Sequence, residues 1–336
     1  MNRGFAAFAA AAFLSAFCAG PSSAQPVEPP QRIEIKATPI ESFEPRDPSR
    51  RQFGALEFRG GLELSASHRQ FGGLSAIRVA ADGSHFIALT DKAHWLRGRI
   101  VYKGETPSGI ADAEIAPILG PDGKTLGSRG WFDTEALAED GGTLYIGLER
   151  VHRILRFDYR KDGLLARGQN VPVPLAMGKL PFNRGIECLL TAPKTGALAG
   201  ALIAISERGL DEAGNIRGFV IGGKTPGEFT VRRRNDFDIV DCALTFDDGL
   251  VILERYFTWR TGVAMRLRRL SLAEVTARAV LDGPVLIEAD MGFQIDNMEG
   301  LSIHRAANGD AVLTLISDDN FSIIQRTILL QFTLRQ

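Results

Sequence analysis

One phrase recurs five times along this chain and limits the folds open to it: GGLSAIRVAADGSHFIALTDK from Gly72, DTEALAEDGGTLYIGLER from Asp133, RGIECLLTAPKTGALAGALIAISER from Arg184, DIVDCALTFDDGLVILER from Asp238 and DNMEGLSIHRAANGDAVLTLISDDN from Asp296. Each copy opens near an acid (Glu135, Glu187, Asp241 and Glu299, with Gly72 in its place in the first copy). It then runs through an apolar stretch, a turn and a second apolar stretch, and closes on an acid: Asp91, Glu149, Glu207, Glu254 or Asp318. The turns are Asp82-Gly83, Asp140-Gly141, Thr195-Gly196, Asp248-Gly249 and Asn308-Gly309, residues that tolerate positive φ and so favour a hairpin. Between the copies lie further runs rich in Val, Ile, Phe and Thr, such as RGRIVYKGE, RILRFDYR, GEFTVRRR and GPVLIEAD, and helical periodicity is hard to find. The closing acids stand 58, 58, 47 and 64 residues apart, room for about four strands each.

The pattern predicts an all-β fold, a single β-propeller of four-stranded antiparallel blades. The count gives five blades, with six as the alternative if residues 46–66 or 152–182 contain another. The last copy leaves three strands before the C-terminus at TILLQFTLRQ, and the N-terminal FRGGLELSA has no hairpin partner of its own. The two ends are therefore expected to pair and close the ring. In a propeller the start of each innermost strand and the end of the second strand lie side by side on one face. Opening and closing acids should then meet at one mouth of the central channel. A cation follows four of the closing acids (Lys92, Arg150, Arg208 and Arg255), whereas Asp318 is followed by Asp319.

Such a ring has two readings. In the plainer one, Glu-Arg pairs at repeated positions tie neighbouring blades together and cap strand ends. In the functional one, the convergence itself matters: several carboxylates at a narrow mouth repel one another unless cations sit among them, either the adjacent Lys and Arg or a bound metal. A ring of Asp and Glu oxygens suits a hard ion such as Ca²⁺. Ca²⁺ together with Arg would favour an anionic substrate.

With 45% hydrophobic residues the 336-residue chain can bury one large core or two smaller ones, and its formal charge of −1 gives no electrostatic reason to expect nucleic acid or an anionic membrane surface. Residues 1–24 read as a cleaved export signal, with an apolar run too short to span a bilayer followed by small residues at Ser22-Ser23-Ala24. Phe17 before Cys18 argues against lipidation. Residues 25–50 are Pro-rich and read as a linker or an extended edge segment rather than core, and 51–336 as the propeller. No later stretch is long and uncharged enough for a membrane helix. A monomer in the periplasm or the medium is the expectation.

The ordered phrases GGLS…TDK, DTEALA…LER, NRGIE…ISER, DCAL…LERYF and DNMEGLS…ISDDN resemble the bacterial phytase-like family, described as having the esterase-like activity of phytase. The resemblance runs from about Phe58 to Leu334. It implies a β-propeller distantly related to the calcium-dependent alkaline phytases and hydrolysis of an ester or phosphoester. The Asp-rich metal signature of the true β-propeller phytases has no clear equivalent here, which puts phytate itself in doubt.

Three functions follow. The first is a metal-dependent hydrolase of a small anionic ester. Glu135, Glu187, Asp241, Glu299, Asp318 and Asp319 would hold Ca²⁺, Glu299, Glu187 and Asp318 would act in catalysis, and Lys92, Arg150, Arg208 and Arg255 would hold the substrate. The second is a lactonase-type hydrolase using a single Ca²⁺ in the channel. The third is a binding or scaffold propeller whose ion pairs only stitch blades together. No Gly-Xaa-Ser-Xaa-Gly elbow and no zinc spacing among the five histidines is present. His94 is better read as a solvated loop residue than as a base. In RYFTWRTG, Tyr256, Phe257 and Trp259 follow a closing acid and suit either one wall of a ligand site or packing over the blade edge. Cys188 and Cys242 each follow an opening acid. Inner strands of neighbouring blades are usually too far apart for a disulfide, so two buried thiols are expected.

Overall fold

A computed structural model describes residues 28–335, and the stretch expected to be an export signal, with Cys18, lies outside that range. Five antiparallel sheets form a five-bladed propeller. Blade 1 runs from its inner strand Leu74–Val79 through His85–Thr90 and His94–Lys103 to Thr106–Pro117, and blade 2 from Thr134–Asp140 through Thr143–Leu148 and Arg153–Asp158 to Gln169–Val171. Blade 3 comprises Ile186–Thr191, Ala201–Leu210, Ile216–Gly222 and Gly227–Val231. Its outer edge takes a short parallel strand, Val280–Leu281, from the loop of the next blade. Blade 4 comprises Asp238–Leu244, Gly249–Thr258, Gly262–Ser271 and Val285–Asp290. Blade 5 starts with Met298–Arg305, Ala311–Ser317 and Thr327–Leu334. The N-terminal strand Leu56–Ser65 then completes it by pairing with Thr327–Leu334, so the ends close the ring as the leftover strands required. Among the described residues no helix is long and apolar enough to cross a membrane.

The blades stack face to face, so inner strands are covered on both sides and their sequences are apolar almost throughout. The side chains between blades sort into five hydrophobic clusters, one for each neighbouring pair of blades. The hairpin turns use the predicted residues, with Gly83 at φ 74° and Gly309 at φ 92° in the left-handed region.

The Pro-rich segment joins this framework and contributes to the core. Gln31–Arg32 adds to the edge of blade 1 and Lys36–Ile40 to the edge of blade 5. Phe43, expected outside the core, is fully buried in an aromatic cluster, edge-on to Phe53 at 5.0 Å and to Phe332 at 5.1 Å. Such contacts are worth about 0.5–1.5 kcal/mol each beyond burial. The segment therefore pins the closing blade from outside.

Cys188 and Cys242 are joined in a disulfide, not left as two thiols, and their Cα atoms are 5.2 Å apart. The cause is a register difference. The pairing of blade 3 skips Glu187, whereas that of blade 4 skips Val240. Cys188 is thus the first residue after its bulge and Cys242 the second, so they occupy opposite faces of adjacent inner strands. Both point into the same space between blades 3 and 4.

Candidate active site at the mouth of the channel

Every inner strand carries one unpaired extra residue where it enters the ring: Ser75, Glu135, Glu187, Val240 and Glu299. A bulge of this kind turns its side chain out of the ladder, here towards the mouth. On the second strands, Thr90, Leu148, Ser206, Glu254 and Ser317 pair with the residue just before each bulge. The positions that follow, Asp91, Glu149, Glu207, Arg255 and Asp318, are therefore equivalent around the ring. Seven carboxylates and one guanidinium occupy these two tiers.

Blade 4 departs from the alignment drawn from sequence. Val240 holds its bulge position in place of Asp241, and Arg255 holds its closing position in place of Glu254. A slip of one residue sends side chains to the opposite face. Asp241, expected among the metal ligands, turns deeper into the channel and is fully buried. It accepts hydrogen bonds there from Arg78 (Nη1 to Oδ2 2.9 Å, Nη2 to Oδ1 3.0 Å) and from the Leu301 amide at 2.7 Å. The Arg78 guanidinium also donates to the carbonyls of Ile77, Leu189, Cys242 and Leu301, equivalent positions in four of the five blades. Arg78 and Asp241 thereby plug the channel, and the mouth is a blind cup. Glu254 leaves the mouth as well. It is buried between Arg266 (Nε at 2.7 Å) and Arg268 (Nη2 at 2.6 Å).

Within the cup, Glu149, Glu187 and Glu207 each bring an oxygen within 4.8 Å of the others. Glu149 accepts from the Gly185 amide at 3.1 Å, and Glu207 accepts from Arg184 at 2.6 Å and Arg255 at 3.1 Å. Glu187 is 8% exposed and has no hydrogen-bond or ion-pair partner among the described residues. Burial pushes its carboxyl well above the usual range, and the charges of Glu207 and Glu149 add to the effect. The trio is a compact set of hard oxygens that fits a divalent cation. Glu149 and Glu207 stand out in sequence only as closing acids. Their partnership with Glu187 depends on the bulge that brings an opening acid up beside them.

The other side of the cup holds Asp91, Glu135, Glu299 and Asp318. Burial first, then the negative charges of Glu299 and Asp91 beside it, raise Asp318 to about 9. Asp91 is raised to about 7, again mainly by burial, and Glu149 likewise to about 7. One oxygen of Asp91, Oδ1, is buried without a partner. Glu135 is also held well above the carboxylate range by burial and by Glu299, Glu149 and Asp318. Glu299 is partnered: it accepts from Asn297 Nδ2 at 2.9 Å and from Arg255. Arg255 lies inside the ring. Although burial opposes its charge, Glu299, Glu187 and Glu207 outweigh that and hold it protonated.

The remaining expected residues sit on the rim. Asp319 accepts from the Gly73 amide at 2.8 Å and from Thr327 at 2.9 Å, which ties blade 5 to blade 1. Arg150 pairs with Asp133 and reaches Asn183 at 3.2 Å, and Arg208 lies bidentate on Asp238 with Nε 2.8 Å from each oxygen. The Lys92 ammonium sits over the Phe321 ring, and His94 Nδ1 is 2.9 Å from the Lys92 carbonyl. A surface cleft of about 500 Å³, lined by Leu210, Arg217 and Phe229, lies at the outer edge of blade 3, away from the cup.

No curated protein matches the sequence. Among solved structures, glutaminyl cyclase from Myxococcus xanthus is similar at 10% identity over 84% of this chain and 97% of that one, with a TM-score of 0.42. The PQQ-bound aldose sugar dehydrogenase of Streptomyces coelicolor is similar at 12% identity over 91% and 99%, with a TM-score of 0.44. Neither bears on the activity of this chain. The family model described as phytase-like, esterase-like activity of phytase, matches residues 69–321, which span all five repeated phrases nearly to the end of the last. With its five-bladed ring, the chain belongs to the phytase-like family.

Proposed function

We propose that this protein is a divalent-cation-dependent hydrolase of an ester, a phosphoester foremost, with Ca²⁺ held by Glu149, Glu187 and Glu207. The observation that carries the reading is Glu187, a carboxyl buried to 8% exposure beside two others and given no protein partner among the described residues. A largely buried carboxyl that accepts no hydrogen bond is costly to ionise, Arg255 offsets only part of that cost here, and a cation at this point would offset the rest. The family description, which names esterase-like activity, supports the same class of reaction.

A cation held by Glu149, Glu187 and Glu207 would supply the positive charge that polarises an ester. The chain's own groups do the rest. Asp91, across the cup from the three glutamates, would accept the proton of the attacking water; its unpartnered Oδ1 and a carboxyl raised to about 7 support that role. Asp318 keeps its proton to about pH 9 and can deliver it to the leaving oxygen. Arg255 fixes Glu207 and Glu299 in place. The Arg78–Asp241 plug closes the floor, so substrate and product use the same opening.

Calcium titration followed by thermal melting tests the reading on wild type and Glu187→Gln, together with hydrolysis of p-nitrophenyl phosphate and p-nitrophenyl acetate. A ligand at 100 times its Kd stabilises the folded state by about 2.7 kcal/mol. The wild type should show that gain and turnover, and Glu187→Gln neither. If calcium leaves the wild-type melt unmoved and no ester is cleaved, the acids and arginines are the stitching of a binding propeller.

A further inference from the structure

The loops around the cup carry large apolar side chains that stand exposed among the described residues, with only Phe182 approached by a guanidinium, that of Arg150 at 5.7 Å from its ring centroid. Leu175 and Phe182 belong to the loop between blades 2 and 3, Phe257 and Trp259 to the hairpin of blade 4, and Ile323 and Ile324 to the loop after Asp318 in blade 5. Leu175 is 89% exposed, Trp259 96% and Ile324 86%. All six lie on the face where inner strands begin, and together they reach across more than half the ring. The opposite face carries fewer and less exposed apolar side chains: Leu165 is 45% exposed, Val285 43%, and Phe246 47% beneath the Arg305 guanidinium, 4.2 Å from the ring centroid. The most exposed apolar side chains thus gather on the cup face. Exposed apolar surface gathered on one side of a protein marks an interaction site.

We infer that the cup face docks onto a lipid bilayer containing anionic lipid. The form of the apolar surface selects this partner. The side chains stand on three separate loops as isolated tips, which suits insertion between lipids rather than a fit to a rigid protein surface. Trp259, stacked edge-on with Phe257 at 5.4 Å, presents the amphipathic ring favoured at a membrane interface. Exposed cations lie in two of these loops and in a third on the same face. Arg260 is next to Trp259, Lys179 lies between Leu175 and Phe182, and Arg69 is in the loop entering blade 1. None of the three has an acidic partner among the described residues. Cations beside apolar tips match lipid phosphates beside acyl chains. Docked in this way, the cup opens onto the headgroup layer, where an ester of an amphiphile lies within reach. The docking stands independently of the hydrolase reading.

The test is vesicle co-sedimentation and tryptophan emission with two probes, phosphatidylcholine vesicles and vesicles of equal phosphatidylcholine and phosphatidylglycerol. Wild type should sediment with the mixed vesicles and its emission shift to the blue. Binding to phosphatidylcholine alone should be several-fold weaker. Trp259→Ala/Ile323→Ser/Ile324→Ser should bind the mixed vesicles about tenfold more weakly with an unchanged melting temperature, because these side chains meet solvent. Three results overturn the inference: no binding to mixed vesicles at millimolar lipid, binding by the triple variant equal to wild type, or a dimer in vesicle-free buffer that already shields Trp259 and that the triple variant abolishes. The last would assign the face to a second copy of the chain.

Discussion

Asp91→Asn should stabilise the protein in the absence of divalent cations, although it removes a charged residue at the centre of the candidate site. Burial raises the Asp91 carboxyl from 3.8 to about 7, with Asp133 and Glu299 adding to the effect and Lys92 opposing it. With each tenfold change in proton affinity worth about 1.4 kcal/mol, the ionised folded state carries a penalty of about 4 kcal/mol. The sign follows from proton binding. Between about pH 4 and about pH 7 the unfolded chain has released this proton while the folded one retains it, so stability falls as pH rises through that window and levels off above it. Asn has no such proton to lose. The variant should lack this part of the pH slope and, at about pH 8, be more stable by about 2 kcal/mol, since the new amide must itself be accommodated beside the neighbouring carboxyls. Urea unfolding in EDTA from about pH 5 to pH 9, wild type against variant, measures both quantities. An Asp91→Asn protein no more stable than wild type at about pH 8, with an unchanged slope below, would show that the carboxyl is neither strained nor protonated as argued.

Other expectations follow from the same geometry. Arg78→Met leaves Asp241 buried and unpaired and should cost about 3–5 kcal/mol. Adding Asp241→Asn should restore much of that loss, and a double-mutant cycle by chemical denaturation reads the coupling. Glu254→Gln should destabilise by a similar amount through Arg266 and Arg268 yet leave calcium binding intact, as isothermal titration would show. The Cys188–Cys242 bridge spans 54 residues, and Cys188→Ser/Cys242→Ser should lower stability by about 4 kcal/mol on the loop-entropy account. A melt unchanged by reduction would contradict it.

The propeller is legible in sequence because its hairpins repeat turn and acid at fixed offsets, and because leftover strands at the two ends demanded each other. The cup is legible only in part. Acids at strand ends signal convergence, but which acids meet depends on a single inserted residue per inner strand, and the phrase DIVDCAL aligns equally well with Asp241 or Val240 at that point. The alignment by acid and cysteine selects Asp241 and thereby misplaces Glu254, does not foresee that Arg255 pairs with Glu207 and Glu299 inside the ring, and makes the two cysteines equivalent. Arg78 is the residue that sequence could have flagged. It is a lone cation in LSAIRV, whereas the other four inner strands carry Ala138, Leu190, Ala243 and Ser302 at that depth. A buried charge at such a position requires a buried counter-charge, and Asp241 is its answer.

Closure of the ring by the N-terminal strand also sets an order for folding. Leu56–Ser65 emerges early in synthesis and pairs on one edge with its near neighbours Lys36–Ile40 and Gln52–Phe53, but its other edge waits for Thr327–Leu334, which follows more than 260 residues later. Until then that edge of the ten-residue strand LEFRGGLELS presents unpaired amides and carbonyls, the kind of edge that pairs with other chains. Contacts this distant along the chain slow folding. Completion of the barrel of blades is therefore a late, all-or-none event. The long wait makes the first strand the segment most exposed to aggregation and the natural target for a chaperone that shields nascent edges.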